Sequence, residues 1–161
     1  MKYCNDSQKT RQGLTLVEVL ISVAILSFLV VAILTVLRVG EMNWREETAL
    51  VSLQQDTRQS IDSMLKEIRQ SNATDVTVSG GGTRIDFFIP DVSNAIAYYL
   101  TGDQIIREHP VGTTKVLAND INALTFTEAG DTVIVQISAT HLVSGRNVSF
   151  SLTEKVRLRN E

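Results

Sequence analysis

Glu18 is the only charged side chain between Arg11 and Arg38, and the nineteen residues from Val19 to Leu37 that follow it carry no charge at all. A carboxylate at the border of so long an apolar run calls for a counter-charge. An acidic residue at the centre of a bilayer costs roughly 2.5–3.5 kcal/mol. Five residues before it stands Gly13, a small, cleavage-friendly residue on the N-terminal side of the run.

Other residues that could do chemistry are less well placed. The single cysteine, Cys4, forms no intramolecular disulfide and sits in a polar tail, which makes it an incidental residue. His109 and His141 have no cysteine or carboxylate at metal-ligand spacing and read as surface or strand histidines. Gly80-Gly81-Gly82 lacks the Lys-Ser/Thr of a phosphate loop and reads as a flexible turn. Asp91, Asp103, Asp120 and Asp131 fall in turns, but no D-x-D-x-D-G loop is present, so turn chemistry accounts for them better than calcium. Asn72-Ala73-Thr74 and Asn147-Val148-Ser149 match glycosylation sequons at a frequency chance explains. No nucleophile, base and orienting group share a pattern. The chain reads as a non-enzyme without cofactor or metal.

The apolar run itself is membrane length. As a helix, Val19 to Leu37 rises roughly 28 Å, close to the hydrocarbon thickness of a bilayer. Lys2, Lys9 and Arg11 precede it, offset only by Asp6, whereas Arg38, Glu41, Arg45, Glu46 and Glu47 after it carry no positive excess. The positive-inside rule therefore leaves the N-terminus in the cytoplasm and the rest of the chain on the far side. A secretory signal fits poorly, because its apolar core is only about 7–15 residues long and ends in a small-residue cleavage site. Here the run ends Leu37-Arg38-Val39-Gly40-Glu41.

Gly13-Leu14-Thr15-Leu16-Val17-Glu18 resembles the class III signal of type IV pilins and pseudopilins, usually G-F-T-L-[IV]-E. The resemblance implies that a prepilin peptidase cuts after Gly13 on the cytoplasmic side and methylates the new N-terminal amine of Leu14. Glu18 takes the place of the family's glutamate. Leu14 departs from the usual Phe, a change expected to be tolerated because the cut depends chiefly on the glycine. After cleavage, the α-ammonium of Leu14 on one subunit could pair with Glu18 of its neighbour, so that the carboxylate becomes cheap only in an assembled filament. Major pilins often carry a helix-weakening Gly and Pro in the membrane half. The matching positions here are Ser27 and Thr35, which points to a minor component or pseudopilin.

Beyond Gly40 the composition turns polar but keeps a helical period. Leu50, Leu53, Thr57, Ile61, Met64 and Ile68 recur at steps of three and four, widened by Leu65, with Arg58, Asp62, Lys66, Glu67 and Arg69 assigned to the other face. No proline falls between Leu14 and Asn72, so a single helix is expected through both halves. The stripe is expected to pack on the C-terminal domain, with a coiled-coil partner as the alternative. From Ala73 onward the period becomes two. Ile85, Phe87 and Ile89 share a face, as do Ile96, Tyr98 and Leu100. Turns are expected at Gly102-Asp103, Gly130-Asp131 and Gly145-Arg146. In the last strand Val148, Phe150, Leu152, Val156 and Leu158 share a parity with Glu154, where a bulge or the strand's exposed end is expected.

The sequence thus predicts an α+β, pilin-like fold. A leader occupies residues 1–13, a long helix 14–72 with its transmembrane segment at about 19–37, and an antiparallel β domain 73–161. Ala95–Arg107, the segment Asp120–Phe126 and the ending Val156-Arg157-Leu158-Arg159-Asn160 are similar to J-type minor pseudopilins of type II secretion and W-type minor pilins, as loose hairpin patterns. These imply a structural subunit that primes or caps a pseudopilus or pilus. Its partners would be the prepilin peptidase, other minor and major subunits and the inner membrane. The net charge of −3 makes nucleic acid an unexpected partner. The residues leave secretion, pilus and DNA-uptake systems open. The alternative class is an uncleaved single-pass signal-anchor protein whose β domain binds a partner or ligand outside the membrane.

Overall fold

The structure, a computed structural model, describes residues 15–90 and 92–159. One helix, α1 (Leu16–Ile68), is followed by eight antiparallel strands, the α+β layout expected of a pilin-like fold. By its contacts the chain divides into two units, Met1–Met42 and Asn43–Glu161.

In the first unit the apolar side chains of α1 are exposed among the described residues, Val17, Leu20, Phe28, Val31, Val36 and their neighbours included. The hydroxyls within this segment are turned inward. Ser22 donates to the carbonyl of Glu18 at 2.7 Å, Ser27 to Val23 at 2.7 Å and Thr35 to Val31 at 2.9 Å. Each uses its donor one turn back, so no hydroxyl proton faces an apolar surroundings unpaired.

In the second unit α1 becomes part of a core. Leu53, Thr57, Ile61, Met64, Leu65 and Ile68 are buried as the period predicts, and Ser60 joins them. The Ser60 hydroxyl lies 2.7 Å from the carbonyl of Asp56 and 3.1 Å from that of Leu117, so its proton can link α1 to the sheet. The helix stops at Ile68 with its final carbonyls all satisfied. Leu65 accepts from Arg69 N–H, Lys66 from the Gln70 side chain, Glu67 from Gln70 N–H and Ile68 from Ser71 N–H.

Strands β1 (Val76–Ser79), β2 (Arg84–Phe87), β3 (Ile96–Thr101), β4 (Gln104–Glu108) and β5 (Thr114–Ala118) form one sheet in sequential order. Strands β6 (Ile121–Ala129), β7 (Thr132–Val143) and β8 (Arg146–Arg157) form a second. Both sheets and the α1 stripe contribute to a single core, in which Ile85, Phe87, Tyr98, Ile105, Leu124, Phe126, Val133 and Val135 are almost wholly buried. The rings of Phe87 and Tyr98 stack across β2 and β3 with centroids 5.9 Å apart. At the β6–β7 turn Arg157 donates to the Asp131 carboxylate at 2.8 Å, and this bond and its charge hold that carboxyl below its ordinary range. The chain then returns to the helix, with Arg159 N–H donating to the Ser71 carbonyl at 3.0 Å.

One expectation is corrected, that of Glu67, and two others are made specific. Of the two alternatives at Glu154 the bulge is absent, since β7 and β8 pair without a break with Glu154 opposite Val135; its side chain is exposed, three residues from the end of an edge strand. The bulges fall at Ile105/Ile106 and Ile121/Ala123 instead. Glu67 does not lie on the solvated face of α1, because it turns toward the sheet. The glycine triplet is a shaped turn joining β1 to β2, with φ of 61°, 69° and 97°, and a Cβ on Gly82 would come 3.1 Å from the Phe126 carbonyl oxygen.

The triplet provides a test of that packing. Alanine at Gly81 meets open space and carries only the strain of positive φ, roughly 1–3 kcal/mol. Alanine at Gly82 carries the same strain and also crowds the backbone of β6, a further cost of roughly 1–3 kcal/mol. In urea unfolding of the full chain in detergent, Gly82→Ala should lower the midpoint more than Gly81→Ala. Equal midpoints would show that the turn is not held against β6.

Candidate processing and assembly site

The described chain begins at the edge of the processing signal. Thr15 occupies the N-cap of α1, where its Oγ1 accepts a hydrogen bond from Glu18 N–H at 3.3 Å and its carbonyl accepts one from Val19 N–H at 3.2 Å. Thr15 and Glu18 therefore have the spacing of a capping box, a signal present in the sequence as T-x-x-E. Glu18 lies in the first helical turn, where the free N–H groups and the dipole favour a carboxylate by about 0.3–1 kcal/mol. Its side chain is exposed and makes no ion pair among the described residues. Gly13 and Leu14 lie outside the described residues, so of the three site residues the structure locates Glu18.

The described neighbours of Glu18, Leu16, Val17, Val19, Leu20 and Ile21, are apolar and exposed. Among the described residues α1 is the one helix long and apolar enough to cross a membrane. Ser27 and Thr35, the positions where helix breakers were sought, leave the helix uninterrupted, each donating to the carbonyl four residues back.

A second polar cluster lies between α1 and the first sheet. Glu67 accepts from the Tyr98 hydroxyl at 2.7 Å and from Arg107 Nε at 3.0 Å, so one helical carboxylate ties β3 and β4 to α1. The period misassigned Glu67 because it sits three residues after Met64 and one before Ile68, on the flank of the stripe. Burial pushes the Tyr98 phenol well above its usual range, and the hydrogen bond and charge of Glu67 push it further. The two histidines have local partners. His109 Nδ1 is 3.4 Å from the Ala95 carbonyl, and His141 Nδ1 is 2.9 Å from Asp120, whose backbone has a φ of 61°. Asp91 lies outside the described residues. Among the described residues no three His, Cys, Asp or Glu side chains converge on a possible metal position.

Residues 8–34 match the family model of the prokaryotic N-terminal methylation motif. No curated protein and no solved structure matches the chain. The motif spans Gly13, Leu14, Thr15 and Glu18 and the first part of the apolar helix. With that helix it supports a type IV pilin-like prepilin, which implies processing by a prepilin peptidase, membrane anchoring and assembly with other pilins.

The Glu67 cluster makes its own prediction. A phenol whose folded-state pKa is raised gives stability that is complete below its unfolded value, near pH 10, and lost as pH rises beyond it. The urea midpoint of the full chain should therefore fall above pH 10, and Tyr98→Phe should flatten that fall. Glu67→Ala should lower stability by roughly 1.5–3 kcal/mol through loss of bonds to a charged group. A Tyr98→Phe chain with an unchanged alkaline slope would show that the phenol titrates normally.

Proposed function

We propose that the protein is a minor pilin or pseudopilin, a structural subunit that primes or caps a type II secretion pseudopilus or a type IV pilus. It is processed after Gly13, N-methylated on Leu14 and held in the inner membrane as a single-pass protein with its N-terminus in the cytoplasm until it enters a filament tip. The residue scheme is a leader of 1–13, a helical segment of 14–72 and a β domain of 73–161. The observation that carries this reading is the juxtaposition of the methylation motif with an apolar helical run whose side chains are exposed among the described residues. The uninterrupted run through Ser27 and Thr35 supports a minor subunit over a flexible major one.

Glu18 has the assembly role. Thr15 caps the helix and fixes the first turn, and the exposed carboxylate three residues on is presented to a neighbouring chain. Pairing with the Leu14 ammonium of that neighbour removes the cost of a charge in lipid and sets the stagger between subunits. The peptidase, the methyl donor and the motor are other proteins.

Two measurements test this. Co-expression with a prepilin peptidase should shorten the chain by Met1–Gly13, as read by intact mass, and Gly13→Ala should abolish the cut. A chain that keeps Met1 in the presence of active peptidase would instead identify an uncleaved signal-anchor protein. Glu18→Ala or Glu18→Val should leave insertion and cleavage intact while the subunit disappears from purified filaments. Normal incorporation of either variant would overturn the pairing role.

A further inference from the structure

A cleft lies beside the Glu67 cluster, between the last turn of α1 and the end of the first sheet where β3 begins and β4 finishes. Its volume is about 390 Å³, inside the range of roughly 300–1,000 Å³ usual for small-ligand sites. Ile89, Val92 and Ile96 give it an apolar floor, of which Ile96 is almost wholly buried. Lys66, Glu67, Arg107 and His109 line it with charged and polar groups.

Positive charge in this lining is left over. Glu67 is the only carboxylate among the described lining residues, and both of its oxygens are engaged. Oε2 accepts from the Tyr98 hydroxyl at 2.7 Å and from Arg107 Nε at 3.0 Å, while Oε1 lies 3.2 Å from the same Nε. Arg107 spends only Nε on that pair. Its terminal nitrogens make no hydrogen bond among the described residues. The Lys66 ammonium has no ion pair among them either. His109 directs Nδ1 at the Ala95 carbonyl, 3.4 Å away, and since a carbonyl only accepts, the proton sits on Nδ1. In the neutral ring Nε2 is then an acceptor.

The guanidinium is also held in place before any ligand arrives. Tyr98 is fully buried and fixes Glu67, which in turn fixes Arg107 by Nε. A ligand meeting the terminal nitrogens has little side-chain freedom to remove. Those nitrogens form a planar fork that matches the two oxygens of a carboxylate.

We propose that this cleft binds the free C-terminal carboxylate of a polypeptide whose last residue is apolar. The carboxylate pairs with the terminal nitrogens of Arg107 and with Lys66. The last side chain covers Ile89, Val92 and Ile96, and His109 Nε2 accepts from the backbone N–H of the same residue. A chain terminus carries carboxylate, N–H and apolar side chain on one carbon, which suits cationic rim, acceptor and floor within one small cleft. An acidic side chain holds its carboxylate away from any apolar group, and an inorganic anion leaves the floor uncovered. The site goes beyond the filament role proposed above and does not depend on α1 crossing a membrane.

The test uses the full chain in detergent micelles, labelled with ¹³C at the isoleucine δ-methyls. It is titrated with N-acetyl-alanyl-leucine and with the C-terminal amide of the same peptide. The free acid should shift the Ile89 and Ile96 methyls to saturation, and the amide should bind about tenfold more weakly or worse, having lost its charge-assisted pairs. Lys66→Gln should weaken the acid by a similar factor at an unchanged urea midpoint, whereas Arg58→Gln, outside the cleft, should leave it unaltered. Arg107→Lys, which keeps a charge for Glu67 and loses the fork, should weaken it too. Equal affinity for acid and amide, or methyls that do not move, overturns the proposal. N-acetyl-glutamyl-leucinamide bound as tightly as the acid overturns it in favour of an acidic side chain. Acetate bound as tightly overturns it in favour of a general anion site. Binding by Asp91→Asn and not by the unaltered chain overturns it as well, because the occupant is then the chain's own carboxylate.

Discussion

A single helix in this protein has to satisfy two different surroundings, and the rest of the structure follows from that. From Val19 to Leu37 the side chains of α1 carry no charge and are exposed, a surface suited to lipid or to other apolar helices. From Leu53 to Ile68 the same helix has an apolar stripe and a polar back, the pattern of an element half-covered by protein. Between them lies the polar stretch Arg45 to Thr48, in which Glu46 accepts from Arg146 of β8.

The lower stripe is what allows the β structure to exist as a folded unit. A three-stranded and a five-stranded sheet are short of core by themselves, and each needs one face covered. Ile61, Met64 and Ile68 are almost fully buried in the cluster that also holds Phe87, Tyr98 and Phe126. Each such side chain contributes roughly 1.5–3 kcal/mol by leaving water. Polar contacts then fix the position of what burial brings together. Glu67 reaches β3 and β4, Ser60 reaches β5, and Arg159 returns the final residues to Ser71.

How much of this was legible in the sequence depended on whether the signal was local. The apolar run, the stripe from Leu53 to Ile68, and the turns at Gly102, Gly130 and Gly145 are encoded by neighbours in the chain, and the structure shows them where period and turn chemistry put them. Strands β1 and β5 had no such mark. Thr114–Ala118 is mostly exposed at a sheet edge, so its side chains carry no alternation that a strand would need. The role of Glu67 depended on Tyr98 and Arg107, which lie 31 and 40 residues further on, beyond any helical period. Gly82 is small because β6 passes next to it, a contact that no local rule contains. At the candidate site, Thr15 was readable as a cap from the T-x-x-E spacing, while the amine that Glu18 is proposed to meet belongs to another molecule.

The inward hydroxyls of Ser22, Ser27 and Thr35 bear on how such a helix changes surroundings. Their protons are already bonded to carbonyls of the same helix, so moving it from lipid to a neighbouring helix breaks no hydrogen bond and requires none to be made. Lipid tails are as apolar as leucine, and the exchange is then one of dispersion contacts of similar strength. For the hydroxyls of such a segment, hydrogen bonding favours neither surroundings over the other. Direction and retention have to be imposed by what lies at its ends.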